Sequence, residues 1–271
     1  MKNFRGKTVL ITGSAGGIGR KLAIALAKEG AKLVFTDVKA NDLNDAAEEA
    51  RKAGATSAHA YPLDVTNTDA ILAFRDKVHA DVGPLDMLVN NAGVVFGGPF
   101  LEIPLERHLL TFKVNTMGPV AMTHTFLKDL VSKPEAHLVN IASASGFIGL
   151  PNGSTYAASK WSVIGFSESI RLELEQQGNG HVKVTTVCPS YIATGMFEGV
   201  KTPFMTPMLT PDGLVASMVA AIRRDDLFVL EPPLVRTLPI LKGVLPQKAF
   251  YWVAQRLGVS SSMNSWKGHG K

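Results

Sequence analysis

The sequence contains one cysteine, Cys188, among 271 residues, which excludes an internal disulfide bond. No apolar run approaches the roughly 18 residues that a membrane-spanning helix needs. The start of the chain leads directly into a strand-like run without a cleavage-site pattern, which argues against a secretory signal. We therefore expect a globular protein of a reducing, cytoplasmic compartment.

The sequence also lacks a cluster of metal-ligand residues, and its basic and acidic residues are not evenly distributed along the chain. The seven histidines are scattered without metal-ligand spacing, so we expect no metal site. Residues 223–271 hold eight of the 28 basic residues but three of the 23 acidic ones, so the whole net charge of +5 lies there. The remaining body is neutral and gives no electrostatic reason to expect a nucleic-acid partner.

Short β-branched runs alternate with helical patterns along most of the chain, from Thr8–Thr12 to Val182–Val187. Strands separated by helices of this length form right-handed crossovers, and therefore a parallel sheet with helices on both faces. We predict a single α/β domain with a doubly wound, Rossmann-type sheet over residues 1–230. A basic, proline-punctuated extension over residues 231–271 follows it and does not form a separate domain.

A glycine-rich string, Thr12 to Gly19, lies between the first strand and the first helix. Glycine lets the backbone approach a pyrophosphate closely, and the N-terminus of the following helix offers free N–H groups to it. Asp37 closes the second strand, where a carboxylate can bind both ribose hydroxyls and repel a 2′-phosphate. Its alternative role is to cap the helix over residues 41–53. The pattern predicts a nucleotide cofactor, NAD in preference to NADP, in contact with Gly13, Gly17, Ile18, Gly19 and Asp37.

Tyr156 and Lys160 have the spacing that places two side chains one helical turn apart, and Ser143 lies upstream at a strand end. A phenol ionises near pH ~10, too high for a general base at neutral pH. We expect the lysine ammonium and a cationic nicotinamide ring to lower that pKa by ~2–3 units. Ser143 would hold the substrate oxygen that Tyr156 protonates or deprotonates, as hydride transfer requires.

Together these motifs resemble those of the classical short-chain dehydrogenase/reductases, over about residues 6–225. The resemblance implies that Ser143, Tyr156 and Lys160 are the catalytic serine, tyrosine and lysine. It also implies that Lys160 binds the nicotinamide ribose and that the Asp64-Val65 pair lies at the adenine. Within the run Asn90-Asn91-Ala92-Gly93, we expect Asn91 to contact the cofactor and Asn90 to be a structural residue at the end of the sheet.

The resemblance assigns further roles in the second half of the chain. Asn115 matches the family's active-site asparagine, which would kink a long helix and hold a water in a proton relay with Lys160. Thr194, with Ile192 nearby, falls where the family binds the nicotinamide amide. Ser190 replaces the family's glycine after the sixth strand, a departure that removes no catalytic group. The family also implies a homodimer or homotetramer, built on helices near residues 104–131 and 154–177.

Substrate recognition is expected in the segments outside the carboxyl ends of the strands. The loop Tyr191–Met208 is rich in methionine and phenylalanine, Met205 among them, and carries only Glu198 and Lys201 as charges. An apolar, Met-rich lid indicates an apolar alcohol or carbonyl substrate. The alternative is that these side chains pack on the sheet or on a neighbouring subunit. The predicted pocket residues are Val95, Ser145, Phe147, Tyr191, Met196 and Phe197.

The extension mixes apolar and basic residues over residues 231–257, and it resembles tails of family members that oxidise retinol, steroids or other lipid alcohols. Basic amphipathic segments can lie in a membrane interface, where each cation near anionic lipid contributes ~1 kcal/mol. One hypothesis is therefore peripheral membrane contact. The alternatives are a dimer contact and a cover over the substrate pocket.

Two other functions stay open at this point. A ketoreductase acting on carrier-bound acyl chains is chemically close, but Asp37 and the long extension argue against it. A non-catalytic, dinucleotide-sensing scaffold that binds a membrane or a partner is the other alternative. The intact group of Ser143, Tyr156 and Lys160 argues against this scaffold, because a sensor has no use for a phenol of lowered pKa.

Overall fold

The computed structural model of the protein describes residues 1–204 and 206–268. Met205, predicted to belong to the apolar substrate loop, lies outside the described residues. Residues 269–271, at the end of the basic extension, also lie outside them.

One seven-stranded sheet forms the centre of the described part, and every strand pairing in it is parallel. The strand order is β3-β2-β1-β4-β5-β6-β7, so the direction of winding reverses between β1 and β4. In sheets of this kind, ligands bind outside the carboxyl ends of the strands at the reversal point. The strands are β1 (Thr8–Thr12), β2 (Lys32–Asp37), β3 (Ser57–Pro62), β4 (Met87–Asn90), β5 (Ala136–Ile141), β6 (Val182–Pro189) and β7 (Phe228–Glu231).

Helices cover both faces of this sheet, which confirms the predicted doubly wound, Rossmann-type α/β fold. The helices of the body are α1 (Gly17–Ala27), α2 (Ala40–Ala53), α3 (Thr68–Asp81), α4 (Leu105–Phe112), α5 (Gly118–Ser132), α6 (Ser154–Gln176) and α7 (Pro211–Arg224). Two more, α8 (Thr237–Val244) and α9 (Gln247–Arg256), belong to the extension.

The core consists of two apolar layers, one on each face of the sheet. Because successive strand residues point to opposite faces, Val9 and Ile11 of β1 join the layer with α1, α2 and α7. Leu10 joins the layer with α3, α5 and the end of α6. The body is thus held by burial on both faces, which fixes the register of the central strands.

The sequence reading differs from the structure in the middle and at the end of the body. The predicted helix over residues 104–131 is divided into α4 and α5 by a π-helical turn, Lys113–Met117. The sequence pattern does not single out the final crossover, which consists of α7 and β7. Its strand has four residues and only one of them is fully buried, so its pattern is weak.

The extension folds back onto the carboxyl edge of the sheet. Phe250 and Ala254 of α9 are buried against Ile148, which follows a turn after β5. Leu238 and Leu245 pack around the same cluster. Among the described residues, no helix combines the length and the apolar character needed to cross a bilayer.

Candidate active site

The turn between β1 and α1 accepts only glycine at two of its positions. Gly13 has a φ of +63°, and a Cβ there would lie 2.7 Å from the Ala92 Cα. At Gly19 a Cβ would lie 2.5 Å from the Gly13 carbonyl oxygen. The helix α1 begins at Gly17 without a side-chain cap, so the N–H groups of its first turn are available to an anion. The two glycines thus let the turn pack closely on the protein itself, and the uncapped start of α1 is the part that can receive a pyrophosphate.

Asn91 holds this turn in place. Its amide nitrogen donates to the carbonyl oxygens of Thr12 and Gly13, at 2.9 Å each, and its backbone N–H donates to the Thr12 hydroxyl. Both amide hydrogens are thus used within the protein, which leaves the amide oxygen for a cofactor contact. Its neighbour Asn90 is buried and donates to the Asn140 side chain at 2.8 Å, as a structural residue would.

Asp37 lies at the end of β2 and faces the same turn. Its carboxylate accepts the backbone N–H of Ala15 and that of Lys39, both at 3.1 Å. The helix α2 begins at Ala40 with Lys39 as its N-cap residue, so the alternative role of Asp37 as a helix cap is wrong. The hydrogen bonds instead hold the carboxylate beside the glycine turn.

The other residues predicted to contact the cofactor lie around the same edge of the sheet. Asp64 is exposed after β3, whereas Val65 beside it is buried in the core. Ile18 is half-buried at the start of α1 and packs partly on the core. Thr194 lies opposite the turn, because a Cβ at Gly17 would lie 3.7 Å from the Thr194 methyl carbon. Ile192 is buried in the core, and its backbone carbonyl accepts the N–H of Thr194.

Ser143, Tyr156 and Lys160 are brought together beside this cleft, and all three are buried. Ser143 follows β5 and begins the 3₁₀ turn Ala144–Gly146, whereas the other two lie on α6. The Lys160 ammonium lies 5.7 Å from the centre of the Tyr156 ring. It donates to the backbone carbonyl of Ile141 at 2.8 Å, which fixes it at the end of β5.

The pKa values of this group differ from the expectation. Burial raises the pKa of the Tyr156 phenol above its ordinary value of 10.0, and only a hydrogen bond with Ser143 opposes this rise. Burial lowers the pKa of Lys160 to about 8. The expected lowering of the Tyr156 pKa by Lys160 is therefore not produced by the protein alone, because the ammonium is directed to Ile141 and is itself costly to charge.

Asn115 lies in the π-helical turn, where the expected distortion of the helix is found. Its side-chain amide exchanges two hydrogen bonds with the backbone of Val94 and donates to the Ser159 hydroxyl. A Cβ at Gly93 would lie 3.4 Å from the Asn115 amide oxygen and 3.7 Å from the Lys160 nitrogen. Asn115 and Lys160 thus border the same small space, where the expected water relay remains a prediction.

A pocket that is partly open to solvent adjoins the buried tyrosine. The structure places Ser145, Tyr191 and Phe197 in its wall, as predicted. It does not place Phe147 there, because that ring packs against Phe228 behind the turn. The two remaining predicted residues, Val95 and Met196, pack beside the pocket in the cluster that contains Tyr156.

Almost half of the pocket wall comes from the extension. The pocket residues predicted from the sequence include none of these. Leucines recur at helical spacing from Leu234 to Leu245, and this stripe is the one sequence feature that could indicate a buried face in the extension. The stripe shows that one face is buried, but not what it is buried against. The lining residues include Leu234, Leu238, Leu241, Leu245, Phe250, Val253 and Leu257.

Among the residues that the structure describes, no charged side chain lines the pocket, and most of the polar groups in its wall lie near Ser143 and Tyr156. Among them the Tyr191 hydroxyl hydrogen-bonds the Ser262 hydroxyl at 2.7 Å, whereas the buried Ser145 hydroxyl has no hydrogen-bond partner. Ser190 does not adopt the left-handed backbone conformation that favours glycine, so serine fits there without strain. Among the described residues, no group of three or more His, Cys, Asp or Glu side chains could hold a metal ion.

A glycine turn at the winding reversal and a buried tyrosine–lysine pair at the same edge are the arrangement of a dinucleotide-dependent oxidoreductase. Comparison with known proteins gives the family. Residues 7–203 match the family model of the short chain dehydrogenases. The chain belongs to that family and is one of its oxidoreductases.

Relatives extend the similarity beyond residue 203. Epidermal retinol dehydrogenase 2 of Mus musculus is 37% identical over 272 residues, which cover 100% of this chain and 88% of the relative. Human 17-beta-hydroxysteroid dehydrogenase 13 is 32% identical, over 92% of this chain and 82% of the relative. A short chain dehydrogenase/reductase from Burkholderia phymatum, solved in complex with NAD, has a TM-score of 0.81 at 26% identity. That match covers 96% of this chain and 99% of the other.

Proposed function

We propose that this protein transfers a hydride between NAD and an apolar alcohol, or between NADH and the corresponding ketone or aldehyde. The observation that carries the proposal is the pocket, which has Ser143 and Tyr156 at one end and apolar side chains over most of its wall. Burial of an apolar substrate there contributes roughly 25 cal/mol per Å² of its surface. The relatives named for retinol and hydroxysteroids support an apolar alcohol as substrate.

The cofactor side of the proposal rests on the glycine turn and on Asp37. A nicotinamide dinucleotide, when bound, supplies or accepts the hydride at its ring. The uncapped N-terminus of α1 offers free N–H groups to its pyrophosphate, and Asp37 is held beside the same turn, where the adenosine ribose would lie. A like charge at ~4 Å costs about 4 kcal/mol at an effective dielectric constant of ~20, so the Asp37 carboxylate disfavours the 2′-phosphate of NADP.

The positions of the side chains support the following catalytic roles. Ser143 holds the substrate oxygen, and Tyr156 exchanges a proton with it. Because burial raises the pKa of the phenol, Tyr156 on its own is protonated at neutral pH. In that state it can donate a proton to a carbonyl, whereas accepting a proton from an alcohol requires the phenolate. Oxidation therefore needs additional positive charge near the phenol, to which Lys160 contributes when it is protonated. Asn115 keeps the loop after β4 and α6 together around that lysine.

The experiment that tests this function is steady-state turnover followed by nicotinamide absorbance, with NAD and NADP separately. The substrates would be alcohols graded from short and polar to long-chain, steroid and retinoid. We expect kcat/KM to rise with apolar size and NAD to be preferred. Turnover confined to small polar alcohols would contradict the apolar pocket. Turnover confined to carrier-bound acyl substrates would favour the ketoreductase, and NADH binding without any turnover would favour the sensor.

We also propose that the outer face of the extension contacts an anionic membrane surface. Ile240 and Val244 of α8 are 66% and 76% exposed, and Leu241 and Phe204 are exposed where they line the mouth of the pocket. Glu231, which lies 3.6 Å from Arg236, is the last acidic residue of the sequence, so the later cations of the extension have no acidic residue near them in the sequence. This charge matches anionic lipid, and the apolar rim would let an apolar substrate enter directly from it.

Co-sedimentation with vesicles tests this contact. We expect binding to vesicles that contain anionic phospholipid and much weaker binding to neutral vesicles. The double substitution Ile240→Ser with Val244→Ser should reduce binding about tenfold. Leu101→Ser is the matched control, since Leu101 is 94% exposed in the body, outside the extension. Equal losses in both variants, or no binding by the unmodified protein, would contradict the proposal.

A homodimer or homotetramer is the third part of the proposal. Exposed apolar side chains line the helices that the family resemblance assigns to subunit contacts, including Leu105 and Leu109 on α4 and Val120 on α5. Light scattering after size-exclusion chromatography would give the mass in solution. We expect two or four subunits for the unmodified protein and a smaller assembly for Leu109→Glu. A monomer in both cases would contradict an interface on these helices.

A further inference from the structure

Lys242 joins the extension to the body at a point next to the catalytic turn. From α8, its ammonium lies 3.5 Å from the centre of the Trp161 ring on α6. The same nitrogen donates to the backbone carbonyl of Phe147 at 3.1 Å. The contact is partly removed from water, and burial lowers the pKa of Lys242. A cation–π contact and a charged hydrogen bond therefore act together at one side chain.

Trp161 continues the connection towards Ser143. Its indole N–H donates to the backbone carbonyl of Ser145 at 2.8 Å. The backbone N–H of Ser145 in turn donates to the Ser143 hydroxyl at 3.2 Å. Trp161 thus holds a carbonyl within the turn Ala144–Gly146, and Lys242 holds the carbonyl of Phe147 directly after it.

The turn has little room to move while these bonds are made. A Cβ at Gly146 would clash with Ile164 of α6 and lie 3.0 Å from the Lys160 carbonyl oxygen. The backbone of the turn therefore lies directly on the helix that carries the catalytic tyrosine and lysine. A shift of the turn changes the distance between Ser143 and Tyr156.

We propose that Lys242 and Trp161 form a latch through which docking of the extension positions the Ser143 hydroxyl. This inference rests on the hydride-transfer function proposed above. The helix α8 carries both Lys242 and two side chains of the pocket wall, Leu238 and Leu241. An apolar substrate that packs on these leucines stabilises docked α8 and, through the latch, the catalytic position of Ser143. Lys242 and Trp161 are positioning residues, because neither lies at the reacting atoms.

If the latch positions Ser143, kcat should depend on the length of the alcohol, whereas a contact that only stabilises the fold should affect all alcohols equally. A long apolar alcohol reaches α8 and should turn over with a higher kcat than a short alcohol, besides having a lower KM. Lys242→Met keeps a stem that packs on Trp161 but removes the ammonium. We expect it to reduce kcat for the long alcohol about tenfold and to leave kcat for the short alcohol within about twofold. Lys242→Arg should restore most of the loss, since a guanidinium can stack on the indole and donate to Phe147.

Lys248→Met is the matched control, because Lys248 is exposed on α9 of the same extension. Trp161→Phe keeps the aromatic ring but removes the donor to Ser145, and it should reproduce the Lys242→Met phenotype. NADH affinity, measured by fluorescence, should stay unchanged in every variant. A kcat for the long alcohol equal to that of the unmodified protein, or equal losses for long and short alcohols, would overturn the latch.

Hydrogen exchange separates a failure of the latch from a failure of the proposed function. Lys242→Met should increase amide exchange over residues 143–147, relative to Lys248→Met, whether or not any alcohol is turned over. Unchanged exchange in this turn would contradict the latch even in an active enzyme. Increased exchange in a protein that oxidises none of the alcohols would support the coupling between the extension and the turn, and it would contradict the proposed hydride-transfer function. Far-UV circular dichroism would establish that each variant is folded.

Discussion

The body, residues 1–230, and the extension, residues 231–268, build opposite parts of the candidate active site. The body supplies polar groups that hydrogen bonds hold in place, such as Asp37, Asn91 and Lys160. The extension supplies an apolar wall that is held mainly by burial, with Phe250 at its centre. The difference indicates that the chemistry and the choice of substrate reside in separate parts of the chain. The first depends on a few exact distances, and the second on shape and apolar area.

The largest expected effect is on the body side. Tyr156→Phe removes the hydroxyl that we propose exchanges the proton, and it should reduce turnover at least ~10³-fold, which lies within the range for general acid–base catalysis. NADH affinity should be retained, because the glycine turn is untouched. Tyr251→Phe is the control, since Tyr251 lies on α9 outside the proton path. Steady-state kinetics and NADH fluorescence provide the measurement, and normal turnover by Tyr156→Phe would refute the proton-transfer role.

Phe250→Ala tests the extension in the same way. The ring is buried between the extension and Ile148, so its loss should destabilise their packing by about 3 kcal/mol, as large-to-small core changes do. We expect kcat/KM for long apolar alcohols to fall more than tenfold while NADH affinity stays constant. Limited proteolysis should cut the extension faster than the body. A parallel loss of NADH binding would show that the two parts are not separable.

Asp37→Ala affects the body without involving the extension. If a third of the roughly 4 kcal/mol of charge repulsion survives screening, the preference for NAD over NADP should narrow about tenfold. The dependence of kcat/KM on the size of the alcohol should not change. The ratio of kcat/KM for the two cofactors, measured with one alcohol, provides the check. An unchanged ratio would move the specificity determinant to another residue, with Lys39, two residues along the chain, as the first candidate.

Acid should destabilise the body through His137, which is buried in β5. Burial, with the terminal ammonium of Met1 and with Lys183, lowers the pKa of His137 to about 3, and Asp225 only partly opposes this. The folded state then binds fewer protons than the unfolded state at a pH between about 3 and 6.5, so stability falls as the pH drops through this range. Between pH 7.5 and 5.5 the loss from this group is about 1.4 kcal/mol.

Denaturant unfolding at the two pH values, for the unmodified protein and for His137→Gln, isolates this contribution. Glutamine stays neutral and keeps a donor for the Thr185 hydroxyl, the partner of the imidazole in the structure. The variant should lose less stability between the two pH values by about the same 1.4 kcal/mol. An equal pH dependence in both proteins would contradict a neutral, buried His137.

The body was largely predictable from the sequence because its signals are local. The predicted bounds of β1, Thr8–Thr12, agree with the structure, and positive φ at Gly13 is a local requirement that only glycine meets readily. The grouping of Ser143 with Tyr156 was accessible because strand ends and the following helix starts share one edge of the sheet. The hydrogen bonds of Asn91 to the glycine turn were not accessible, since they join residues that are about 80 positions apart.

The extension was less predictable for a physical reason. Its leucine stripe requires burial of one face, and a membrane, a second subunit or the pocket satisfies that requirement equally well. The sequence does not distinguish Lys242 from the other basic residues of the extension, although in the structure its ammonium lies over the Trp161 ring. That the protein alone does not lower the pKa of Tyr156 was also not accessible, because the helical spacing to Lys160 does not reveal that the ammonium is directed to Ile141.

The most direct test of the division between body and extension is a single comparison of Leu238→Gln with the unmodified protein. Leu238 lines the pocket from α8, and glutamine places a polar group in that wall. The measurement is kcat/KM for one short and one long apolar alcohol, together with the Kd of NADH. We predict a fall of at least about tenfold for the long alcohol, with the short alcohol and the Kd within about twofold. Equal losses for both alcohols, or a weaker Kd, would contradict the claim that the extension selects the substrate and the body binds the cofactor.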